Sequence, residues 1–380
     1  MAGDGAECVT IIFINNRVYR EYAMLKKSIC FIVVGLFAIG FFVGLQSAEN
    51  IQVVYDIIDP SLKIYPSHTP IKINSDADFN TPNGVKNPSA SGNASDPYII
   101  EEWDINASST LGIKIANTTK YFVVRNCSVH DGTGYAYNGI NILNVTNGKI
   151  ENCTVSKNNF GMIIESPNSN ISVLNNIVTD NYYGIFMFSS KNNTVSYNRI
   201  SGTQGNAIVL TDQCANNTLS FNRIIDNHYN GIWISSLSTN NTIVYNRIAN
   251  NFKYGLVIEN SHYNRINNNN FIGNNQATSI YDPAHIQAND SAGLNSWNAS
   301  YPNGGNYWSD WTSPDVKSGP NQDQSGSDGI VDFPYLLDGG AGANDFYPLT
   351  IPVVPEPSPA LLVMIFVLLI TAIVTGYRKR

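Results

Sequence analysis

Charged side chains are scarce in this sequence. Only 13% of its 380 residues are charged, and the formal net charge is -7. Soluble helices usually carry Glu and Lys on their exposed faces, so the scarcity argues against a mainly helical protein. The small basic content argues against nucleic-acid binding, which needs Lys and Arg to neutralise phosphates. The composition is that of a β protein.

The first apolar segment follows an internal methionine. From Met24 the chain reads MLKKS, then Ile29–Leu45, then the small pair Ser47 and Ala48. A basic start, an apolar run and small residues are typical of a secretory signal peptide. The sequence predicts a signal peptide over 24–48 and a wrongly assigned start over 1–23. The alternative is an uncleaved signal anchor, because Gln46 fits a cleavage site poorly.

The second apolar segment lies at the C-terminus. Pro359–Tyr377 is long enough for one bilayer crossing and is followed by three basic residues, which favour the cytoplasmic side. The preceding PEPS at 355–358 resembles PEP-CTERM and archaeal PEF-CTERM sorting signals, which implies cleavage by a sortase-like enzyme. The alternative is an uncleaved membrane anchor. Both place the body of the protein at the cell surface.

Sequons for N-glycosylation agree with an exported chain. We expect two of them, Asn126 and Asn152, to be unused because the repeat described below would bury them in turns. The acceptor asparagines are Asn93, Asn106, Asn117, Asn126, Asn144, Asn152, Asn170, Asn192, Asn216, Asn240, Asn289 and Asn298.

An internal repeat fills the middle of the chain. Short apolar phrases recur at steps of 22, 23, 23, 24 and 24 residues, beginning at Gly139, Gly161, Gly184, Ala207, Gly231 and Gly255. Asparagines keep a similar period at Asn152, Asn175, Asn198, Asn222, Asn246 and Asn269. Two phrases with one period indicate a solenoid. Stacked asparagines are structural, because Asn tolerates left-handed angles and bonds the amide above it.

The pattern within each repeat selects the type of solenoid. Apolar residues alternate over short runs without helical spacing, and the dense leucines of leucine-rich repeats are missing. Short parallel strands ~4.8 Å apart around a core of Ile, Val, Leu and Met make a right-handed parallel β-helix. The predicted limits are an N-terminal segment and cap over 49–95, coils over 96–282, a loop-rich cap over 283–352, and a stalk with the apolar segment over 353–380.

Three phrases support a family resemblance. DPYIIEEWDI from Asp96, GNYWSDW from Gly305 and DGIVDFPY from Asp328 resemble NosD-type β-helix proteins, within the pectin-lyase-like class that binds carbohydrates or hydrolyses sugars. The resemblance implies the fold. It leaves activity open, because this class includes polysaccharide lyases, epimerases and a copper-delivery accessory protein.

One outward row is apolar where a polar row is expected. If Met162, Ile185, Ile208, Ile232 and Leu256 point inward, then Ile163, Phe186, Val209, Trp233 and Val257 point outward. Either the C-terminal cap, with Tyr307, Trp308 and Trp311, folds over this row, or Phe186 and Trp233 line a groove that binds glycans.

A second outward row combines cations and rings. Arg199, Arg223 and Arg247 share one position in successive coils and follow Tyr197, Phe221 and Tyr245. Closely stacked cations need an anion between them. This edge is therefore a candidate site for an acidic polysaccharide, the alternative being a solvated edge.

The catalytic candidates are weak. Glycan-cleaving enzymes use two carboxyl groups ~5–10 Å apart, and only Glu165 and Asp212, two coils apart, approach that separation. Glu165 and Glu259 are ~19 Å apart. The sequence therefore favours a binding protein over a polysaccharide lyase, hydrolase or epimerase.

Cys127 and Cys153 occupy one position in adjacent coils. Their spacing permits a disulfide, and inward cysteines also serve as plain core residues. The NosD resemblance adds a copper site, with His130 placed on a loop near Cys127. Among the acidic residues, Asp323, Asp328 and Asp332 resemble a calcium-binding turn. We expect glycan or envelope binding without a dedicated active site.

Overall fold

The computed structural model describes residues 65–134 and 137–354. It is a parallel β-solenoid whose short strands form three long sheets, here named A, B and C. Sheets B and C are joined through one long strand, Ile140–Glu151, which belongs to both. The predicted signal peptide, the apolar C-terminal segment and the start at residues 1–23 lie outside the described residues.

Each coil of the solenoid contributes one strand to each sheet. The strands of sheet A are Ser67–His68, Asp104–Asn106, Ser128–His130, Thr154–Ser156, Ile177–Thr179, Arg199–Ser201, Arg223–Ile225, Arg247–Ala249, Asn270–Ile272 and Tyr307–Trp308. Those of sheet B are Ile71–Ile73, Ile113–Thr118, Ile140–Glu151, Phe160–Glu165, Tyr183–Phe188, Ile208–Thr211, Ile232–Ile234, Leu256–Ile258 and Ala288–Asp290. Those of sheet C are Tyr98–Glu101, Phe122–Arg125, Ile140–Glu151, Ser169–Leu174, Thr194–Ser196, Thr218–Ser220, Thr242–Val244 and Arg265–Asn267.

The remaining elements are short. They are two antiparallel pairs, Lys317–Ser318 with Gln324–Ser325 and Tyr335–Leu336 with Asn344–Asp345, and three 3-10 turns, Asp76–Asp78, Thr81–Asn83 and Asn274–Gln276. No helix in the described part of the chain is long and apolar enough to cross a membrane.

The register confirms the predicted inward row. Met162, Ile185, Ile208, Ile232 and Leu256 are consecutive partners in sheet B, and each is fully buried. Inward residues of all three sheets form one continuous apolar core. Because successive side chains of a strand point to opposite faces, this row fixes which residues face out.

Buried asparagines stack along the corner between sheets C and A. From Asn198 onward, each carboxamide oxygen accepts from the backbone and side-chain amides of the asparagine in the preceding coil, at 2.9–3.1 Å. The members are Asn176, Asn198, Asn222, Asn246, Asn269 and Asn306. Satisfied polar groups of this kind can be buried at little cost, whereas unpaired ones cannot.

The prediction that Asn152 and Asn175 belong to this row was wrong by one residue. Both have positive φ, 53° and 55°, and occupy the left-handed position immediately before the stack. Asn126 lies at the same kind of position, with φ of 52°. Asn152 is exposed and Asn126 half-buried, so neither sequon is buried in a turn as expected.

Aromatic rings close the C-terminal end of the core. Trp308 stacks on Phe271 at 4.3 Å and on Tyr335 at 4.0 Å between ring centroids, and Trp297 packs against the first two rings. Trp308 lies in the last strand of sheet A, and both Trp297 and Trp308 are buried. The cap thus seals the open end of the solenoid, where apolar core would otherwise meet water.

Candidate functional site

Partly exposed aromatic rings gather on the outer face of sheet B. Phe160 and Tyr183 are register partners whose rings stack at 5.1 Å between centroids. Phe186, three residues after Tyr183 in the same strand, presents its ring edge-on to both, at 5.1 and 5.7 Å. All three are half-buried. We name Phe160, Tyr183, Phe186 and Trp233 the aromatic strip.

Trp233 extends the strip toward the C-terminus. It is half-buried, and its indole Nε1 donates to Oε2 of the exposed Glu259 at 3.0 Å. Its partners in the adjacent coils are Val209 and Val257. Both valines are on the outward row but are buried. Phe186 and Trp233 are the register neighbours of Val209 in this row.

The three aromatic residues of the cap do not lie over this surface, as one alternative required. Trp308 closes the end of the core, Tyr307 is in the last strand of sheet A, and Trp311 packs against Tyr281 and Tyr335. Where the described cap residues meet sheet B, at its C-terminal end, Asp338 pairs with Asn289 and accepts from the Tyr254 hydroxyl. The aromatic strip therefore faces outward.

The two candidate catalytic carboxylates, Glu165 and Asp212, each bond a different neighbour. Oε1 of Glu165 accepts from Nδ2 of Asn141 at 2.6 Å, and Oδ2 of Asp212 accepts from the Ser189 hydroxyl at 2.5 Å. Glu165 pairs with Phe188 and then Thr211, so Asp212 lies two coils on and one residue past the row. At ~10 Å, the two carboxylates stand at the outer limit for glycoside hydrolysis.

The arginine row has the predicted register. Arg199, Arg223 and Arg247 are consecutive partners in sheet A and are half-buried. The rings before them stack on one another: Tyr197 on Phe221 at 4.9 Å and 4°, and Phe221 on Tyr245 at 5.2 Å and 6°. We name these three rings the aromatic edge.

Cys127 and Cys153 stand where later coils have the stacked asparagines. Sγ of Cys153 lies 3.4 Å from the Glu151 carbonyl, and Asn176 accepts from the Cys153 backbone amide at 2.9 Å. Both thiols are buried and free. Burial raises the pKa of Cys153 well above its usual value, and a hydrogen bond from Cys153 lowers the pKa of Cys127. The cysteines occupy the position of the stack in the first coils, as inward core residues.

His130 does not join these cysteines. It is the last residue of a sheet A strand, not part of a protruding loop as expected, and it alternates with the buried Val129. Its Nδ1 lies 2.9 Å from Oδ2 of Asp131 and its Nε2 lies 3.2 Å from Oδ1 of Asp104. Cys127 points inward and His130 outward, and each ring nitrogen faces a carboxylate.

The predicted calcium turn is held by its own backbone. Asp328 accepts from the amides of Gly319 and Ile330, and Asp332 accepts from those of Val316 and Lys317. Asp323 is exposed and makes no such bond within the described residues. A carboxylate that sequence reasoning missed, Asp315, accepts from Ser327, Asp328 and Gly329. In the described ranges no three acidic, His or Cys side chains converge as a metal site.

Two buried carboxyl groups of the cap were also missed. Asp345 accepts from the Asn306 and Tyr347 amides and from Trp308 Nε1, at 2.7, 3.1 and 2.9 Å. Burial outweighs these bonds and raises the pKa of Asp345 to about 7. Burial also raises the pKa of Asp310, which accepts from Tyr335. Except for Tyr347, these partners are 25 to 39 residues away in sequence, so no local pattern marks them.

Comparison with protein families identifies the chain. The family described as periplasmic copper-binding protein (NosD) matches residues 86–313. The chain belongs to the NosD family. This confirms the resemblance drawn from the sequence, and the matched range runs from the first coils into the C-terminal cap of this NosD-family chain.

Two solved structures are similar to this chain at low identity. A periplasmic alginate epimerase is 18% identical, with 46% of this chain and 45% of that chain covered and a TM-score of 0.42. Pectate lyase Pel9A is 16% identical, with 61% and 70% covered and a TM-score of 0.43. This chain thus spans less than half of the epimerase chain. No curated protein matches the sequence.

The family description raises the question of copper. A copper site of the predicted kind needs the Cys127 and Cys153 thiols to converge with the His130 imidazole. The fold places these groups on opposite faces of the strand layer and engages both nitrogens of His130 with carboxylates. The described residues therefore do not fit that copper site.

Proposed function

We propose that this NosD-family protein is exported and that the aromatic strip binds polysaccharide. The observation that carries the proposal is the outward-facing, partly exposed group of Phe160, Tyr183, Phe186 and Trp233 on a rigid sheet. Flat rings stack on the apolar faces of sugars, and a contiguous apolar patch on a soluble surface marks an interaction site.

Polar groups beside the rings suit sugar hydroxyls. Glu259 is exposed next to Trp233 and already orients its indole. Glu165 lies at the end of the strand that carries Phe160. Carboxylates accept hydrogen bonds from hydroxyl groups, so the strip combines stacking with hydrogen bonding along one face. Because coils repeat every ~4.8 Å, the site is elongated and matches a polymer better than a single sugar.

A binding role is favoured over catalysis by the arrangement of carboxylates. Glu165 and Asp212 are each engaged by a neighbour, and Phe188, 41% exposed, is the register partner of Glu165 in the coil between them. Bond cleavage at a sugar needs an acid and a second carboxylate on either side of one bond. The strip supplies rings along its length and no such pair.

Export is supported by the predicted signal peptide at 24–48 and by the word periplasmic in the family description. The apolar segment at 359–377 and its basic tail favour anchoring at the cell surface, with or without sortase-like cleavage. The envelope is then the source of the glycan partner.

The test is a binding screen of neutral and uronic-acid polysaccharides by affinity electrophoresis, followed by titration. The double variant Phe186→Ala/Trp233→Ala should weaken binding at least about tenfold, or about 1.4 kcal/mol. Phe252→Ala, which removes an exposed ring outside the strip, is the matched control and should bind as the parent does. Equal binding by all three proteins would refute the strip as the site.

A further inference from the structure

The corner between sheets B and C carries one exposed asparagine in each of four successive coils. Asn170, Asn192, Asn216 and Asn240 all have positive φ, from 56° to 57°, and all are exposed. The residue before each is a bridge partner of its counterpart, through Ser169, Lys191, Ala215 and Thr239. The four asparagines therefore stand above one another along a single edge, here named the sequon edge.

A hydroxyl residue follows two positions after each asparagine, also in register. Ser172 pairs with Thr194, Thr194 with Thr218, and Thr218 with Thr242 in sheet C, and all four are half-buried. The residues between are buried: Ile171, Asn193, Asn217 and Asn241. Each of these four coils thus carries a glycosylation sequon, Asn-X-Ser or Asn-X-Thr in which X is not proline, and its asparagine is exposed.

The corner geometry alone does not require asparagine. At the other corners the same left-handed angles are adopted by Tyr197 and Phe221, by Asp180 and by Gly202. Left-handed φ favours Gly and Asn without excluding these residues. On the sequon edge asparagine and the hydroxyl two residues later recur together in all four coils.

The side chains of this edge are accessible. Within the described residues, the carboxamides of Asn192, Asn216 and Asn240 make no hydrogen bond, whereas the adjacent Asn193 and Asn217 are fully engaged inside the coil. The edge ends at Asn170, because the residue in register with it in the preceding coil is Asn147, which is outside any sequon. Two further sequons, at Asn117 and Asn144, are exposed with positive φ but lie at a different register position. Their carboxamides bond each other at 2.9 Å.

We propose that the sequon edge is a site of N-glycosylation, an inference that rests on export but not on glycan binding. The co-reactant is a lipid-linked oligosaccharide pyrophosphate. The asparagine amide nitrogen forms a bond to the anomeric carbon, the bond from that carbon to the pyrophosphate oxygen breaks, and the amide proton leaves with the lipid pyrophosphate. Neither group is oxidised or reduced.

The coil spacing limits how many sites are filled at once. Neighbouring acceptors are ~4.8 Å apart, the distance between single strands. N-linked glycans are bulky, so glycans on adjacent coils would overlap. Glycans therefore occupy alternate coils, and occupancy of one asparagine lowers that of its two neighbours.

The experiment is intact-glycopeptide mass spectrometry on the full chain purified from its native cells, with cell-surface location checked by protease treatment of intact cells. At least one of the four asparagines should carry a glycan, and no molecule should carry glycans on adjacent coils. Asn250, exposed with positive φ but outside any sequon, should stay unmodified. Unmodified asparagines at all four positions of surface-located protein would overturn the proposal.

Two variants at Thr218 distinguish the effect of losing the sequon from the effect of misfolding. Thr218→Val should abolish modification at Asn216 and raise occupancy at Asn192 and Asn240, while Thr218→Ser should match the parent. Circular dichroism reports whether each variant folds. Unchanged occupancy at the neighbours would overturn the exclusion between coils. Polysaccharide binding, measured on the same preparations, reports on the aromatic strip independently.

Discussion

The aromatic strip and the aromatic edge both place rings outside the β-helix, but they leave different surfaces for a ligand. On the edge, Tyr197, Phe221 and Tyr245 hold one register position, so their faces cover one another at 4.9–5.2 Å. On the strip, Phe160 and Tyr183 also stack, but Phe186 meets them edge-on and Trp233 is flanked in its row by Val209 and Val257 rather than by rings. We therefore expect a sugar to stack on Phe186 and Trp233 and not on rings whose faces are already stacked.

The aromatic strip depends on the buried row of sheet B behind it. We expect a charge placed in that row to have the largest effect on stability and binding. Ile208 is fully buried beside the outward-facing Val209. Ile208→Asp places an unpaired charge in the core, at a cost of several kcal/mol, roughly the whole stability of many domains. We expect loss of cooperative unfolding and of polysaccharide binding. Ser201→Asp, on an outward position of sheet A, should leave the unfolding transition nearly unchanged.

Unlike the aromatic strip and the aromatic edge, the buried rings of the cap contact a titratable carboxyl group, Asp345, which makes the stability of the fold depend on pH. The pKa of Asp345, beside Trp308, is about 7 in the folded chain against 3.8 as its ordinary value. Between these values the folded state holds a proton that the unfolded state has lost, so stability falls as the pH rises from about 4 to 7. The fall in unfolding free energy is up to about 4 kcal/mol.

Urea denaturation at pH 5 and pH 7.5 measures this slope. Asp345→Asn stays neutral throughout and should reduce it, leaving the contribution of Asp310, whose pKa is raised by burial in the same direction. A slope that is the same in the parent and the variant would contradict the assignment to Asp345.

Phe221 of the aromatic edge and Asn222 of the asparagine stack are adjacent in the chain, so substituting each in turn compares the two structures within one coil. Asn222 donates to the Val195 carbonyl and to Asn246 and accepts from Asn198. Asn222→Ala leaves buried groups unpaired and should cost about 3 kcal/mol. Guanidinium denaturation should show this as a lower midpoint.

Replacing the neighbouring ring should have the smallest effect. Phe221→Asn removes two stacked ring contacts worth about 1 kcal/mol each and introduces a residue that tolerates its φ of 56° better than Phe does. The two changes oppose each other, so the free energy of unfolding should fall by no more than about 1 kcal/mol, and polysaccharide binding should not change. A larger loss than that of Asn222→Ala would reverse the ranking.

The sequence predicted what repeats locally. The inward row from Met162 to Leu256 and the arginine row follow from period and alternation, and the structure confirms both. The asparagine stack was placed one residue early in the coils of Asn152 and Asn175, because asparagine serves both the left-handed position and the stack. In the second of these coils both positions are asparagines, Asn175 and Asn176, so the periodicity alone does not show which of them belongs to the stack.

Features that depend on distant segments were not predictable. Trp308 meets Phe271 and Tyr335 only after the cap has folded, so its role in closing the core carries no local signal. The same holds for His130, whose partner Asp104 comes from the preceding coil. The repeat shows that cations or rings share a row, but only the side-chain geometry shows whether ring faces are stacked or open.

Hydroxyl-radical footprinting with mass spectrometry tests the central claim most directly, because one experiment reads both aromatic groups. With a bound polysaccharide identified in the screen, Phe186 and Trp233 should become protected from oxidation in proportion to ligand occupancy. Tyr197, Phe221 and Tyr245 should be oxidised at the same rate with and without ligand. Protection of the aromatic edge while Phe186 and Trp233 remain unchanged would contradict the account.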